Sequence, residues 1–201
     1  MRQAEPDVHH IATDVVAWSV FDSKIKAEIS SAAISTSSGV YLVDPIAVSS
    51  DSLCILKHPE RLAGVIVTNA NHDRASKHFA NDFKIPIYAT HAAEISSATT
   101  LTDGDLAPDL RVVTIEGAAP GEIALHLSRD LGTLVIGDAL INFGSSGFSY
   151  LPAKYCTNAK QLRRSLRQLL DLPFERILFA HGAPIVKNGR ERLIALLGED
   201  Q

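Results

Sequence analysis

Cysteine is scarce in this chain. Only Cys54 and Cys156 occur, far apart and in no ligand spacing. That excludes a disulfide framework and a thiolate zinc site. Long apolar runs are missing too. No stretch reaches the ~18 residues that a membrane-spanning helix needs. The first residues, Met1-Arg2-Gln3-Ala4-Glu5-Pro6-Asp7, lack the apolar run of a signal peptide, so a cytoplasmic location is the expectation. Basic charge is not in excess: 19 Lys and Arg face 23 Asp and Glu, for a net charge of -4. Phosphate binding needs clustered cations, so nucleic acid is not an expected partner. The densest basic cluster, Arg163, Arg164 and Arg167, alternates with Leu162, Leu166 and Leu169 and reads as the wet face of an amphipathic helix. Repeats, low-complexity tracts and linker-like stretches are also lacking, which predicts a single domain over residues 1–201.

What the chain does have is ordinary globular composition, 46% hydrophobic and 21% charged over 201 residues, enough for one substantial core. Short β-rich apolar runs predict strands at Val15–Phe21, Ala32–Ser35, Val40–Val43, Gly64–Thr68, Ile85–Ala89, Arg111–Glu116, Glu122–Leu127, Thr133–Gly137 and Arg176–Ala180. Helical patterns fall at Asp51–Lys57, Arg74–Phe83, Thr157–Leu170 and Gly189–Leu197. Strands come first, then mix with helices, then return before a final helix. That order predicts an α+β sandwich of two packed sheets with helices outside.

Four segments at strand ends carry more information. They are Leu42-Val43-Asp44-Pro45; Val67-Thr68-Asn69-Ala70-Asn71-His72-Asp73-Arg74; Gly117-Ala118-Ala119-Pro120-Gly121 followed by Ile136-Gly137-Asp138; and Ala180-His181-Gly182. In order and spacing this set resembles the metallo-β-lactamase superfamily, whose signature runs Thr-His-x-His-x-Asp-His, Gly-His-x-Pro-Gly, Gly-Asp and His-Gly. The resemblance spans most of the chain and implies a four-layer αββα sandwich. It also implies hydrolysis of esters, thioesters, lactams or phosphodiesters by zinc ions, which take imidazole and carboxylate ligands and polarise a carbonyl or phosphoryl oxygen.

Carried over position by position, the ligand set is depleted. The three histidines of the first zinc position fall on Asn69, Asn71 and Ala118, and another falls on Arg74. Asp73, Asp138 and His181 remain as metal ligands, a set for at most one divalent ion, zinc or a harder cation; two zincs are not expected. With no metal, Asp73 and Asp138 would repel, and Arg74 is expected to stand in as their counter-ion. His72 sits between ligand positions and is expected to point away from the cavity. His126, opposite Ile123, Leu125 and Leu127, is expected on a wet sheet face. Gly144-Ser145-Ser146-Gly147 is no nucleophile motif, and Cys156 has no base nearby.

Three functions follow. The first is a hydrolase with an eroded site, acting on a small ester-like substrate with one metal or none. The second is a non-catalytic binding or regulatory module, in which Asn69, Asn71 and Arg74 recognise a small anionic or carbonyl-containing ligand. The third is a subunit whose role lies in homo-oligomerisation or pairing with an active homologue. Fold alone does not choose among them.

Overall fold

The computed structural model describes residues 6–23, 26–48, 52–143 and 147–198. Its first sheet follows chain order: β1 (Asp7–Ala12), β2 (Val15–Asp22), β3 (Ala27–Thr36), β4 (Gly39–Val43), β5 (Leu62–Ile66), β6 (Ile87–Thr90) and β7 (Thr99–Leu101). The pairs from β1 to β4 are antiparallel, and those from β4 to β7 are parallel. The second sheet is built from β8 (Gly104–Ala107), β9 (Leu110–Thr114), β10 (Ile123–Leu127) and β11 (Thr133–Ile136), closed at its other edge by β14 (Arg176–Phe179) parallel to β11. A separate hairpin pairs β12 (Leu140–Phe143) with β13 (Gly147–Tyr150).

Alternation of side chains along the strands sorts the apolar residues into three cores. Ile123, Leu125, Val135 and Leu178 point inward and meet Ala32, Ile34, Val43 and Ile66 of the first sheet. Their neighbours Ala124, Leu134, Ile136 and Ile177 point outward and pack beneath α2 (Ala159–Leu166) and α3 (Gly189–Gly198), through Leu162, Leu166, Leu193 and Leu197. The outer face of the first sheet, with Trp18, Leu42, Val65 and Val67, is covered by Phe79 of α1 (Ser76–Phe83) and by Leu53 and Leu56. Helix, sheet, sheet, helix is the layer order that the sequence predicts.

Several expectations are corrected. Strands β1, β7, β8, β12 and β13 are not among the predicted strands. The helix expected at Asp51–Lys57 is a 3₁₀ turn at Cys54–Lys57, with Asp51 outside the described residues. His126 lies on no wet face: it is buried, its Nε2 2.7 Å from the carbonyl of Pro173, because the outer layer extends over that strand. Among the described residues no helix is long and apolar enough to cross a membrane.

Candidate metal centre

The carboxyl ends of β4, β5, β11 and β14 lie together and deliver Asp44, the loop from Thr68 to Arg74, Asp138 and His181. Close backbone approach makes this junction, and two glycines permit it. A Cβ at Gly137 would fall 2.5 Å from Thr68 Oγ1 and 2.8 Å from Glu122 Oε1. Gly182 has φ +97, and a Cβ there would meet the Asn142 carbonyl at 2.1 Å. Both positions set the direction of the residue before or after them, Asp138 and His181.

At the centre stands His72, 2% exposed, and it points inward rather than away. Its Nδ1 is 2.9 Å from Asp44 Oδ2 and 2.9 Å from Thr68 Oγ1. Thr68 commits its hydroxyl proton to Asp44 Oδ2 and its backbone N–H to Asp44 Oδ1. An ionised carboxylate only accepts, so the proton between His72 and Asp44 belongs to Nδ1. Nε2 then faces Asp138 Oδ1 at 3.2 Å, off the line that a hydrogen bond requires, and has no hydrogen-bond partner. His181 Nε2 reaches the same Asp138 oxygen at 3.2 Å. His72, Asp138 and His181 each offer a donor atom within 4.8 Å of the others.

Charge around the cluster is balanced by close contact. Burial opposes ionisation of Asp44 and Asp138, yet both carboxyls are held below the usual range, Asp44 by His72 and Arg74, Asp138 by His181 and His72. Burial pulls the His72 imidazole down, but the Asp44 and Asp138 carboxylates lift it to about 9. Glu122 behaves in the opposite sense. Burial and the Asp138 charge push it up to about 8, although it accepts hydrogen bonds from Ala139 N–H and the Asn69 amide.

Arg74 does not act as expected. Its Nη1 donates to the carbonyls of Ser30 and Asp44, and its Nη2 lies 3.4 Å from that of Ala180. The guanidinium therefore binds main chain from β3, β4 and the segment after β14. The Asp44 and Asp138 carboxylates feel its charge without a hydrogen bond to it. Arg74 shares the counter-ion role with His72, which makes the closer contacts to both carboxylates.

The remaining expected site residues separate. Asn69 is buried, its amide donating to Glu122 and its oxygen accepting from Asn71 N–H. Asn71 is exposed and donates to Asp138 Oδ2 at 3.3 Å. Asp73 pairs with Lys77 at 3.3 Å, one helical turn on, and is not in the cluster with Asp138 and His181. Ala118 is fully buried and packs with Leu162 and Leu166 rather than lining a cavity. Ser145 and Ser146 lie outside the described residues. A cavity of about 270 Å³ is lined by Trp18, Glu28, Ser31, Asp44, Phe179 and Ala180 among others; none of the three clustered residues lines it. The cluster and the cavity are separate features. Of the residues missed, Asp44 and His72 stand in quoted motifs, and Glu122 directly follows the Pro-Gly pair. Nothing in the sequence announces that His72 turns inward.

A family model described as the metallo-beta-lactamase superfamily matches residues 9–199. The chain belongs to the metallo-β-lactamase superfamily. Solved structures agree at the level of fold. The DIM-1 metallo-β-lactamase aligns with a TM-score of 0.75 at 14% identity, covering 98% of this chain and 99% of that one. A metallo-β-lactamase from Erythrobacter litoralis gives 0.75 at 17%, with 99% of each chain covered. FIM-1 from Pseudomonas aeruginosa, in its mono-zinc form, gives 0.72 at 14%, covering 98% and 96%. No curated protein matches.

The superfamily usually binds zinc, and the cluster can be tested for that ion. Ligands at ~2.1 Å in a tetrahedron stand ~3.4 Å apart. The two edges from Asp138 Oδ1, to His72 Nε2 and to His181 Nε2, are each 3.2 Å. The third edge, between the two histidines, is within 4.8 Å, and the buried His72 Nε2 has no hydrogen-bond partner, so the three residues can hold one ion.

Proposed function

We propose that the chain is a hydrolase with a reduced metal centre, using one divalent ion and acting on a small ester-like substrate. The observation that carries this reading is the convergence of His72, Asp138 and His181 with the His72 Nε2 unpartnered. Membership of a superfamily with hydrolase-like architecture supports it, as does a relative of the same fold described in a mono-zinc form. An ion held there supplies Lewis-acid polarisation of a carbonyl oxygen.

The chain's own residues define the rest. Asn71, exposed at the mouth, orients Asp138 through its amide and is the one asparagine of the loop that a substrate can reach. Phe143 stands beside the His181 ring, with centroids 6.2 Å apart, and supplies an apolar flank. Asn69 and Arg74 are consumed by internal hydrogen bonds and do not bind substrate.

A second reading has its own support. A protonated His72 between Asp44 and Asp138 fills the place of a cation, which favours a metal-free, non-catalytic module. Elemental analysis of protein purified without chelator, followed by an ester and thioester hydrolysis screen, separates the two. About one equivalent of metal, with hydrolysis lost on Asp138→Asn, supports the hydrolase. Metal-free protein that stays inactive with added zinc supports the module.

A further inference from the structure

Asn69, Asn71 and Ala118 stand where the resemblance places the histidines of the first zinc position, yet a different residue of the same loop has moved into the centre. The loop between β5 and α1 places His72 in the cluster and half-buried Asp73 beside Lys77, so the clustered donor stands one position earlier than the resemblance implies. Asp44 and Thr68 explain the shift. Asp44 has φ 47, is 2% exposed and spends both carboxylate oxygens on this loop. Oδ1 fixes the backbone of Thr68 and Oδ2 takes the Thr68 hydroxyl and faces His72 Nδ1. Its main-chain carbonyl is held in turn by Ser31 Oγ and Arg74 Nη1. A carboxylate so restrained acts on the far side of the imidazole: it keeps the proton on Nδ1 and leaves Nε2 facing the donors of Asp138 and His181. Metal-ligating histidines commonly have their second nitrogen fixed by such a partner.

We infer that His72 is a metal ligand of this centre, with Asp138 and His181, and that Asp44 is the positioning residue that makes it one. The inference rests on the one-ion reading above and deepens it by naming the ligand set and the class of ion. Two imidazoles and one carboxylate suit zinc, cobalt or iron and select against magnesium and calcium, which require oxygen ligands. Asp73, paired with Lys77, takes no part.

Cobalt(II) titration of the metal-free full-length chain, read by its visible ligand-field bands, tests this. The wild type is expected to bind one equivalent of Co(II), displaced by zinc and unaffected by excess Mg(II). His72→Gln is expected to weaken binding by 100-fold or more. Asp44→Asn is expected to weaken it by about 10–100-fold, the range for loss of such a partner. Asp73→Asn should bind within about 3-fold of wild type. Because Asp44 is buried and its variant can fail to fold, imidazole ¹⁵N NMR on the unmutated chain gives a second reading. Zinc should shift His72 Nε2 while Nδ1 keeps its proton.

One-equivalent binding that survives His72→Gln and is lost in Asp73→Asn would overturn this ligand assignment while leaving the one-ion reading intact. A wild type that takes up neither cobalt nor zinc would overturn both.

Discussion

Arg74 shows what a single side chain does here. Three carbonyls, from Ser30, Asp44 and Ala180, surround its guanidinium, so it joins β3 and β4 of one sheet to the chain leaving the other. Replacing it with alanine removes its hydrogen bonds to three main-chain carbonyls and a cation beside Asp44, at an expected cost of about 2–4 kcal/mol in urea unfolding. Arg74→Lys restores the charge but not the planar fork, and should recover less than half of that loss. Full recovery by lysine would show that charge alone matters. Glu122 gives a pH prediction. Its carboxyl moves from an ordinary 4.5 to about 8, so the folded chain keeps a proton that the unfolded chain releases above pH 4.5. Stability from this group is therefore present at low pH and is lost as pH rises toward 8. Between pH 5 and 6.5, below the range where His72 adds its own dependence, the urea midpoint should fall in wild type and stay flatter in Glu122→Gln. At this scale the sequence reveals positions better than roles. Asp138 and His181 follow from their motifs. The inward turn of His72 depends on Asp44, 28 residues away, and no local pattern encodes that contact. Arg74 stands out as a cation in place of a ligand, but its partners are backbone carbonyls, which leave no trace in side-chain identity.

Among the elements, those with an unbroken apolar face were the ones legible in advance. Strands β10, β11 and β14 are buried along their whole length, and their runs Ile-Ala-Leu-His-Leu, Thr-Leu-Val-Ile and Arg-Ile-Leu-Phe mark them within a residue or two. Strand β3 extends well before its predicted start because Glu28, Ser30 and Ser31 hide it, although Ser30 N–H bonds the Ala180 carbonyl. Strand β1 has no buried residue, and β7, β8 and β13 are short and at most one residue of each is buried, so neither burial nor length gives them a signature. Helix α2 shows how an end is fixed. Asn158 adopts an extended backbone and accepts the Gln161 N–H at 3.1 Å, a side-chain cap on a helix with no acid in its first turn. Asn158→Ala should cost about 1 kcal/mol, seen as a lower thermal midpoint with the native circular dichroism retained. Asn158→Asp should match or exceed wild type, because it keeps the cap and adds a negative charge at the positive end of the helix dipole. A destabilised aspartate variant would mean that the cap is not what fixes this end.

For the whole molecule, the centre sits where the two sheets meet. His72 comes from the loop after β5 of the first sheet. Asp138 and His181 follow β11 and β14 of the second. An ion shared by these three ties the halves of the sandwich together, and it can do so only while both are folded. Binding is therefore coupled to global stability. With ligand in excess and little affinity for the unfolded chain, the gain is about 2.7 kcal/mol at 100 times the dissociation constant and rises ~1.4 kcal/mol for each further tenfold of free ion. Zinc buffered over such a range should move the urea midpoint upward in equal steps, without changing the slope of the transition. A chelator should reverse the effect. Asp138→Asn should abolish the steps, because one oxygen of Asp138 is common to both short donor distances. If wild type and variant respond alike, the zinc acts elsewhere on the surface. If neither responds, the protonated His72 between Asp44 and Asp138 is the native state of the centre, and the hydrolase reading fails with the metal.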